Sequence, residues 1–344
     1  MTLWYVGSSS IVGKYWLPDW MIIPFETGFA PSSKIVCLES ADSVSNILNH
    51  PKDLSNRFDY VWFSPELAKI FLDKNLMKEF LSERWVIVSK WFKTFWNKII
   101  IKKHILENNI GFPFLLKEID NCWWQWIHFV KDQSTLDLLD LDESKEYLLE
   151  EFISWDEYSI MLFVFWDNLY IFPPIIKWKT GVDENWKIIH PLARDRTNII
   201  DPRIDKKIRT IATKIWKIKW FGWFFDIDFI YDESKGQVKF IELNPRVSWI
   251  TDISISSTNY SLGQILQDVE QNRNPWIVNL WVSNIMLESP IIHKTPDFDT
   301  ELVAPDWWKI IQTTNLRKYP PYLQKSLIEF EDYASYEKFL NRRN

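Results

Sequence analysis

The stretch FIELNPRVSW, residues 240–249, carries the strongest signal in the sequence. Glu242 and Asn244 alternate along a predicted strand, so both side chains should point to the same face of a sheet. A carboxylate and an amide oxygen on one face suit a hard cation such as Mg²⁺, and Arg246 nearby suits a phosphate. The stretch therefore predicts chemistry on a phosphate group.

This strand is the second half of a predicted hairpin over residues 224–246. Asp226 and Asp228 alternate on the first half, and Asp228 could face Glu242 across the hairpin. Two carboxylates and an Asn around one or two Mg²⁺ ions, with an Arg alongside, would form a phosphoryl-transfer site. The alternative is an exposed acidic hairpin with surface ion pairs. The acids alone favour that alternative, whereas the complete set of residues favours the site.

With this metal strand, the chain resembles the ATP-grasp ligases, whose corresponding strand reads Glu, an aliphatic residue, Asn, Pro or Thr, and Arg. Three earlier segments resemble the lysine-bearing helix, the glycine-rich strand–loop–strand and the hinge of that family. They are DKNLMKEFLSERWV (73–86), FPFLLKEIDNCWWQWIHFV (112–130) and YLLEEFISWDEYSI (147–160). The resemblance covers about residues 72–285, and the motifs occur in the order and spacing of the family.

The resemblance implies roles for the polar residues of these motifs. Lys74 and Lys117 would bind nucleotide phosphates, Glu150 or Glu151 with the backbone near Ile153 would hold adenine, and Glu157 would hold the ribose. Lys117 and Arg246 would act on the transferred phosphoryl group. The implied ATP-binding set is Lys74, Lys117, Trp123, Trp124, Gln125, Trp126, Glu150, Glu151, Phe152, Ile153 and Glu157. The implied ligands of Mg²⁺ or Mn²⁺, with two ions expected, are Asp228, Glu242 and Asn244.

Several positions of these motifs hold Trp where the family has Gly. The chain contains 22 Trp and only 8 Gly, although Gly averages about 7% of residues in proteins. Trp stands at positions 85, 123, 124, 126, 155 and 249. A phosphate-binding loop needs Gly for positive φ and for close approach of its backbone to the phosphates. Our hypothesis is that the gene reads UGA as glycine, so that many of these residues are Gly in the native protein. The alternative is a genuinely Trp-rich chain.

The predicted fold class is α+β, an ATP-grasp fold with two lobes that clamp ATP, preceded by a small α/β domain. The predicted divisions are an N-terminal domain at 1–70, an ATP-grasp domain at 71–288 with lobes at about 71–150 and 151–288, and a C-terminal extension at 289–344. Hydrophobic periodicity predicts helices at 41–48, 72–84, 203–218 and 257–272, strands at 34–40 and 60–66, and a hairpin at 159–176.

Charge and cysteine content exclude several functional classes. The net charge of −6 gives no basic surface for nucleic acid or an anionic membrane. The two cysteines form no disulfide framework or metal cluster. No signal peptide or apolar span is recognisable, so a soluble cytoplasmic protein is expected. The expected partners are small molecules, and a homodimer is compatible with the sequence.

The substrate is the least determined part of the prediction. Arg194 and Arg196 could bind a substrate carboxylate in a bidentate manner, or could belong to a solvated loop. Ser248 and Thr251, which follow the metal strand, are weaker substrate candidates. His128, His190 and Cys122 are expected to be structural or solvated.

The resemblance implies a reaction in which ATP converts a carboxylate to an acylphosphate and an amine or another nucleophile then displaces phosphate. One alternative is a bicarbonate-activating enzyme of the carbamoyl-phosphate-synthase type. The lone chain of 344 residues lacks the tandem halves and glutaminase of that system. A second alternative, if the Trp residues are native, is a non-catalytic interaction protein or pseudo-enzyme.

Overall fold

A computed structural model gives the fold. It describes residues 3–7, 22–24, 35–38, 70–71, 73–119, 127–165, 168–179, 182, 195–217, 223–244, 248, 250–260, 264–265, 277–293, 308–317 and 322–343. No helix in these ranges is both long enough and apolar enough to cross a membrane.

Runs of consecutive strands are interrupted by helices, and within the described residues the strands form three sheets, which confirms the predicted α+β class. The helices are α1 (Lys74–Ser82), α2 (Lys98–Glu107), α3 (Gln133–Leu138), α4 (Pro202–Trp216), α5 (Thr251–Ser256) and α6 (Tyr333–Arg343). The strands are β1 (Leu3–Gly7), β2 (Ile22–Pro24), β3 (Ile35–Leu38), β4 (Trp91–Phe95), β5 (Phe114–Glu118), β6 (Ile127–Val130), β7 (Glu146–Glu151), β8 (Asp156–Phe165), β9 (Asn168–Ile171), β10 (Ile175–Lys179), β11 (Arg196–Thr197), β12 (Trp223–Asp232), β13 (Gln237–Asn244), β14 (Ile277–Asn279), β15 (Ile285–His293), β16 (Trp308–Arg317) and β17 (Tyr322–Phe330).

The N-terminal sheet is parallel, with the strand order β2-β1-β3. Its third strand coincides with the strand predicted at 34–40. The helix predicted at 41–48 and the strand predicted at 60–66 lie outside the described residues.

The small lobe is an antiparallel four-stranded sheet with the order β4-β7-β5-β6. Side chains of β5 alternate between buried and half-buried, as expected of a strand with one face in a core. Helices α2 and α3 begin at Asn97 and Asp132, whose side chains accept hydrogen bonds from backbone N–H groups of the first turn. The core contains Trp96, Ile101, Ile110, Phe114, Leu116, Val130, Leu136, Tyr147 and Leu149.

The large sheet has ten strands, eight of them in the order β13-β12-β8-β10-β11-β15-β17-β16. Its apolar face packs against α1 and α4, and that core includes Tyr158, Ile160 and Leu162 of β8. Because strand side chains alternate, Glu157, Ser159 and their neighbours on β12 and β13 lie on the opposite face. This opposite face, called the cleft face below, carries most of the polar residues of interest.

The C-terminal part of the chain continues this large sheet. Strand β15 pairs with β11 and β17, and β17 pairs with β16. The helix predicted at 257–272 is wrong at its start, because residues 257–260 are non-helical and the helix at this point, α5, ends at Ser256. The sequence TDISIS alternates like a strand, yet it is helical here, with its first four residues buried.

Helix α1 ends in a backbone arrangement that favours glycine. Trp85 has φ of 63°, in the left-handed region, and its side chain is 85% exposed. The N–H of Trp85 bonds to Ser82 and the N–H of Val86 to Leu81, as in a Schellman motif. Of the two positive-φ non-Gly residues in the described part of the chain, this is the one at a predicted Gly position. The geometry supports the hypothesis that glycine is the native residue there.

Candidate functional site

The hairpin of β12 and β13 brings the acidic residues together. Asp228 is the direct partner of Glu242 and Asp226 that of Asn244, so the predicted pairing across the hairpin is confirmed. A register shift between Asp228 and the next residue leaves one extra residue on β13. The hairpin turns at residues 233–236, where Gly236 has a φ of 60°.

Asp228 is held by two neighbours on the cleft face. The Lys177 Nζ lies 2.8 Å from its Oδ1, and the Ser159 Oγ donates a hydrogen bond to the same oxygen. Ser159 is the residue that faces Asp228 from β8. The side chains of Lys177 and Asp228 are 15% and 18% exposed, so their ion pair borders solvent. Lys177 is not among the predicted site residues, because its place beside Asp228 depends on the pairing of β8 with β10.

A second lysine–carboxylate group lies between the two lobes. Lys78 of α1 donates to Glu150 Oε1 at 2.7 Å, and Lys117 of β5 donates to Oε2 of the same carboxylate at 2.5 Å. Lys78 also donates to the Ser89 Oγ at 2.6 Å, and the Ser89 hydroxyl contacts Glu150. Lys78 and Glu150 are almost fully buried. We call these four residues the Glu150 cluster.

In the Glu150 cluster, the positive and negative charges stabilise each other against the cost of burial. Burial would raise the pKa of Glu150, but the charges of Lys117 and Lys78 and their hydrogen bonds hold this pKa well below its usual range. Burial lowers the pKa of Lys78, and the attraction of Glu150 offsets this only in part. For Lys117, the attraction of Glu150 outweighs burial and raises the pKa.

The Glu150 cluster lies next to the hairpin. The N–H of Ser89, a member of the cluster, donates to the Phe240 carbonyl of β13 at 3.4 Å, and Lys239 of β13 pairs with Glu151 at 2.7 Å. The negative charge of Glu242 accordingly raises the pKa of both Lys78 and Lys117, although burial has the larger effect. The two lysines are therefore close to the acidic residues of the hairpin.

The first predicted nucleotide lysine occupies a different place from Lys78. Lys74 is the first residue of α1 and is only half-buried, whereas Lys78, one turn later, enters the Glu150 cluster. The signal for Lys78 was its place on the buried face of α1, which it shares with Asn75 and Leu81 at a spacing of three residues. A lysine at a buried helical position must have a partner.

The predicted hinge residues begin at the last residue of β7. Glu151 accepts a hydrogen bond from the Lys90 N–H and forms an ion pair with Lys239 at 2.7 Å. Phe152 is half-buried and packs edge-on against Phe129 at 4.8 Å between ring centroids. Ile153 and Glu157 are also half-buried, at and just beyond the junction of the two sheets.

The substrate candidates are only partly described. Arg196 is buried and forms an ion pair with Glu288 of β15, which is its direct partner in the sheet. Ser248 and Thr251 are buried, and the Ser248 N–H donates to the Thr251 Oγ1 at 2.9 Å. Their role as substrate ligands stays a prediction. His128 is half-buried, and burial lowers its pKa. Outside the described residues lie Cys122, Trp123, Trp124, Gln125, Trp126, His190, Arg194, Arg246 and Trp249.

The residues of the hairpin fit a magnesium ion. Within the described ranges, no three His, Cys, Asp or Glu side chains form a metal site by themselves. Mg²⁺ is typically held by one or two carboxylates and completes its shell with water and nucleotide phosphates. Asp228 and Glu242 supply the carboxylates, and Asn244 supplies a further hard oxygen on the same face.

Solved structures of two kinds of enzyme share this fold. The N5-carboxyaminoimidazole ribonucleotide synthetase from Thermus thermophilus is 13% identical, with a TM-score of 0.71 over 99% of this chain and 91% of that one. The carboxyaminoimidazole ribonucleotide synthase from Aspergillus clavatus, complexed with ATP, is 13% identical, with a TM-score of 0.66 over 95% and 86%. The biotin carboxylase domain of Hydrogenobacter thermophilus 2-oxoglutarate carboxylase, in complex with MgADP, ADP and bicarbonate, is 13% identical, with a TM-score of 0.65 over 86% and 70%.

These likenesses establish the fold. The chain has the ATP-grasp fold, as the sequence predicts. No protein-family model matches the sequence, and no curated protein sequence matches it. The fold was therefore recognisable from a few short motifs and from three-dimensional shape.

Proposed function

We propose that this chain is an ATP- and Mg²⁺-dependent ligase that activates a carboxylate as an acylphosphate and joins it to an amine or another nucleophile. One observation carries the proposal: the two lysines clustered on Glu150 lie beside the β12–β13 hairpin, on which Asp228 is paired with Glu242. The negative charges of a triphosphate need cations around them, and this site offers lysines beside metal ligands.

The nucleotide would lie between the two sheets. Lys117, together with Lys78 rather than Lys74 alone, would contact its phosphates, because Lys78 is the α1 lysine in the Glu150 cluster. The hinge at the end of β7, from Glu151 to Ile153, would hold the adenine, and Glu157 the ribose. The loop at 123–126 would cover the phosphates and exclude water, which requires Gly at its three Trp positions.

Asp228, Glu242 and Asn244 would hold Mg²⁺, or Mn²⁺, with two ions expected. The bound ions would neutralise charge that develops on the phosphates. Arg246 would add a fixed positive charge beside the transferred phosphoryl group.

The proposed chemistry has two steps. A carboxylate oxygen attacks the γ-phosphorus, and the bond to the β–γ bridging oxygen breaks, so that ADP leaves. The amine nitrogen then attacks the acyl carbon. The bond between that carbon and the phosphate oxygen breaks, phosphate leaves with its electron pair, and the amine loses a proton. The first step needs no general base, because a carboxylate is already ionised at neutral pH.

Bicarbonate is a second candidate for the activated acid. The biotin carboxylase domain that shares the fold was solved with bicarbonate and MgADP. Bicarbonate presents the same oxyanion chemistry as a carboxylate, so the residues of this cleft would serve either acid. A carbamoyl-phosphate-synthase-like reaction falls within this second candidate.

The test uses the full chain with Gly restored at positions 85, 123, 124, 126, 155 and 249. We expect MgATP to raise the melting temperature of this protein, and ADP to appear with one member of a panel of amino acids, short carboxylic acids and bicarbonate. Glu242→Gln should lose the MgATP shift, whereas Glu146→Gln, at a half-exposed surface pair, should keep it. If the Gly-restored protein shows no response to MgATP, the ligase proposal fails and the pseudo-enzyme alternative takes its place.

A further inference from the structure

Lys177 forms an ion pair with Asp228, a carboxylate that the proposed metal would need as a ligand. Its ammonium lies 2.8 Å from Asp228 Oδ1, the oxygen that also accepts from Ser159. A divalent cation on Asp228 would meet this positive charge at contact distance, where repulsion is strong even in a partly solvated site. Metal and Lys177 therefore compete for Asp228.

Arg196, the positive charge next to Lys177, is too buried to exchange its carboxylate partner in this way. Ile176 pairs with Thr197 in antiparallel strands, which places Lys177 and Arg196 side by side on the cleft face. Arg196 and Glu288 are only 4% and 2% exposed, so their ion pair is sealed from solvent. The Lys177–Asp228 pair is 15% and 18% exposed, so it borders solvent, and its separation should leave less uncompensated buried charge than separation of the Arg196–Glu288 pair.

A lysine displaced from Asp228 would still lie beside the metal, with its hydrogen-bond donors turned to the cleft. Ammonium groups bind carboxylate oxygens through short charge-assisted hydrogen bonds. An oxyanion bound there would replace Asp228 as the partner of Lys177 and would also lie next to the metal.

We propose that Lys177 is a metal-dependent anchor for the oxyanion substrate: it pairs with Asp228 in the metal-free protein, and metal binding releases it to hold a carboxylate or bicarbonate. This inference rests on the proposed function for the assignment of the metal ligands. It predicts that metal binds before the oxyanion and that each favours the binding of the other.

The test measures Mn²⁺ binding to the full chain by electron paramagnetic resonance, without nucleotide. Lys177→Met should tighten Mn²⁺ binding by about three- to tenfold, because a competing positive charge is removed. Lys177→Arg should bind Mn²⁺ about as the unmodified chain does. Lys102→Met is the matched control, since Lys102 forms a Lys–Asp pair at 3.1 Å in the small lobe, and it should change nothing.

The second measurement follows the oxyanion directly, with ¹³C-labelled acetate and ¹³C-labelled bicarbonate as separate probes. Bound Mn²⁺ should broaden the ¹³C resonance of the probe that binds, and Lys177→Met should abolish that broadening although it binds Mn²⁺ more tightly. The probe that is broadened tells a carboxylate site from a bicarbonate site.

Three results would overturn the proposal: no Mn²⁺ binding to the unmodified chain, weaker or unchanged Mn²⁺ binding in Lys177→Met, or no loss of probe broadening in that variant. Thermal melting of each variant establishes that it is folded. The Mn²⁺ measurements omit nucleotide. If Lys177→Met changes Mn²⁺ binding and probe broadening as expected but the protein shows no response to MgATP, only the ligase proposal is contradicted. If the protein responds to MgATP but Lys177→Met changes neither Mn²⁺ binding nor probe broadening, only the proposal for Lys177 is contradicted.

Discussion

The two lysine–carboxylate groups of the candidate site differ in burial. Glu150 is 3% exposed and takes two lysines, whereas Asp228 is 18% exposed and takes one lysine and a serine hydroxyl. The first group cannot lose a member without leaving a buried charge, whereas the second can exchange its cation for another. The Glu150 cluster is therefore expected to be fixed, whereas the Asp228 pair is the one that we propose to exchange its cation.

Removal of the Glu150 carboxylate is the largest predicted perturbation. Glu150→Ala leaves Lys78 and Lys117 buried without the carboxylate between them, and this should lower the free energy of unfolding by about 3–5 kcal/mol. Urea unfolding followed by circular dichroism measures this change.

The matched control is a lysine–carboxylate pair of similar length at the surface. Lys93 and Glu146 lie 2.8 Å apart and are 38% and 36% exposed, so Glu146→Ala should cost less than about 1 kcal/mol. If the two variants lose the same amount, the distinction between a fixed and an exchangeable group is wrong.

The pH dependence of stability sharpens the same comparison. The pKa of Glu150 is depressed in the folded protein, so its stabilising contribution is complete above the unfolded value near 4.5 and is lost as the pH falls towards the folded value. Between about pH 5 and 3, the unfolding free energy of the unmodified chain should fall more steeply than that of Glu150→Gln, by up to about 1.4 kcal/mol per pH unit. Urea titrations at a series of pH values measure both slopes, and parallel curves would contradict the assignment.

Trp85 gives the smallest predicted effect, and it acts on the helix that carries Lys78. Trp85→Gly should raise the free energy of unfolding by about 1 kcal/mol, because the left-handed backbone costs a non-Gly residue about 1–2 kcal/mol and part of this is offset by the entropy of Gly. Thermal and urea melts measure the gain.

Trp281→Gly is the control for that substitution. Trp281 is 65% exposed, is not among the described residues with positive φ, and packs against the Arg209 guanidinium at 4.6 Å. It should show no gain in stability. An equal gain at both positions would remove Trp85 as support for native glycine, and the intact mass of protein from the native host would then decide the hypothesis.

Local patterns predicted the hairpin well, because strand alternation and a Gly turn set which residues face each other. Asp228 opposite Glu242 needed no knowledge of the rest of the fold. Lys78 and Lys177 were missed for a common reason: their partners, Glu150 and Asp228, lie on elements far away in the sequence. The fold itself was predictable because its motifs are short and ordered, whereas contacts between distant strands require the sheet order.

The segment between α1 and β4 covers part of one edge of the large sheet. Strand β13 ends the eight-strand path of the large sheet, and Val88 forms a parallel bridge to its Phe240. The Phe240 N–H donates to Ile87 at 2.8 Å, and its carbonyl accepts from Ser89 at 3.4 Å. This short contact covers part of a strand edge that would otherwise be open to pairing with another chain. Loss of these two bonds would uncover the backbone N–H and carbonyl of Phe240 at this edge.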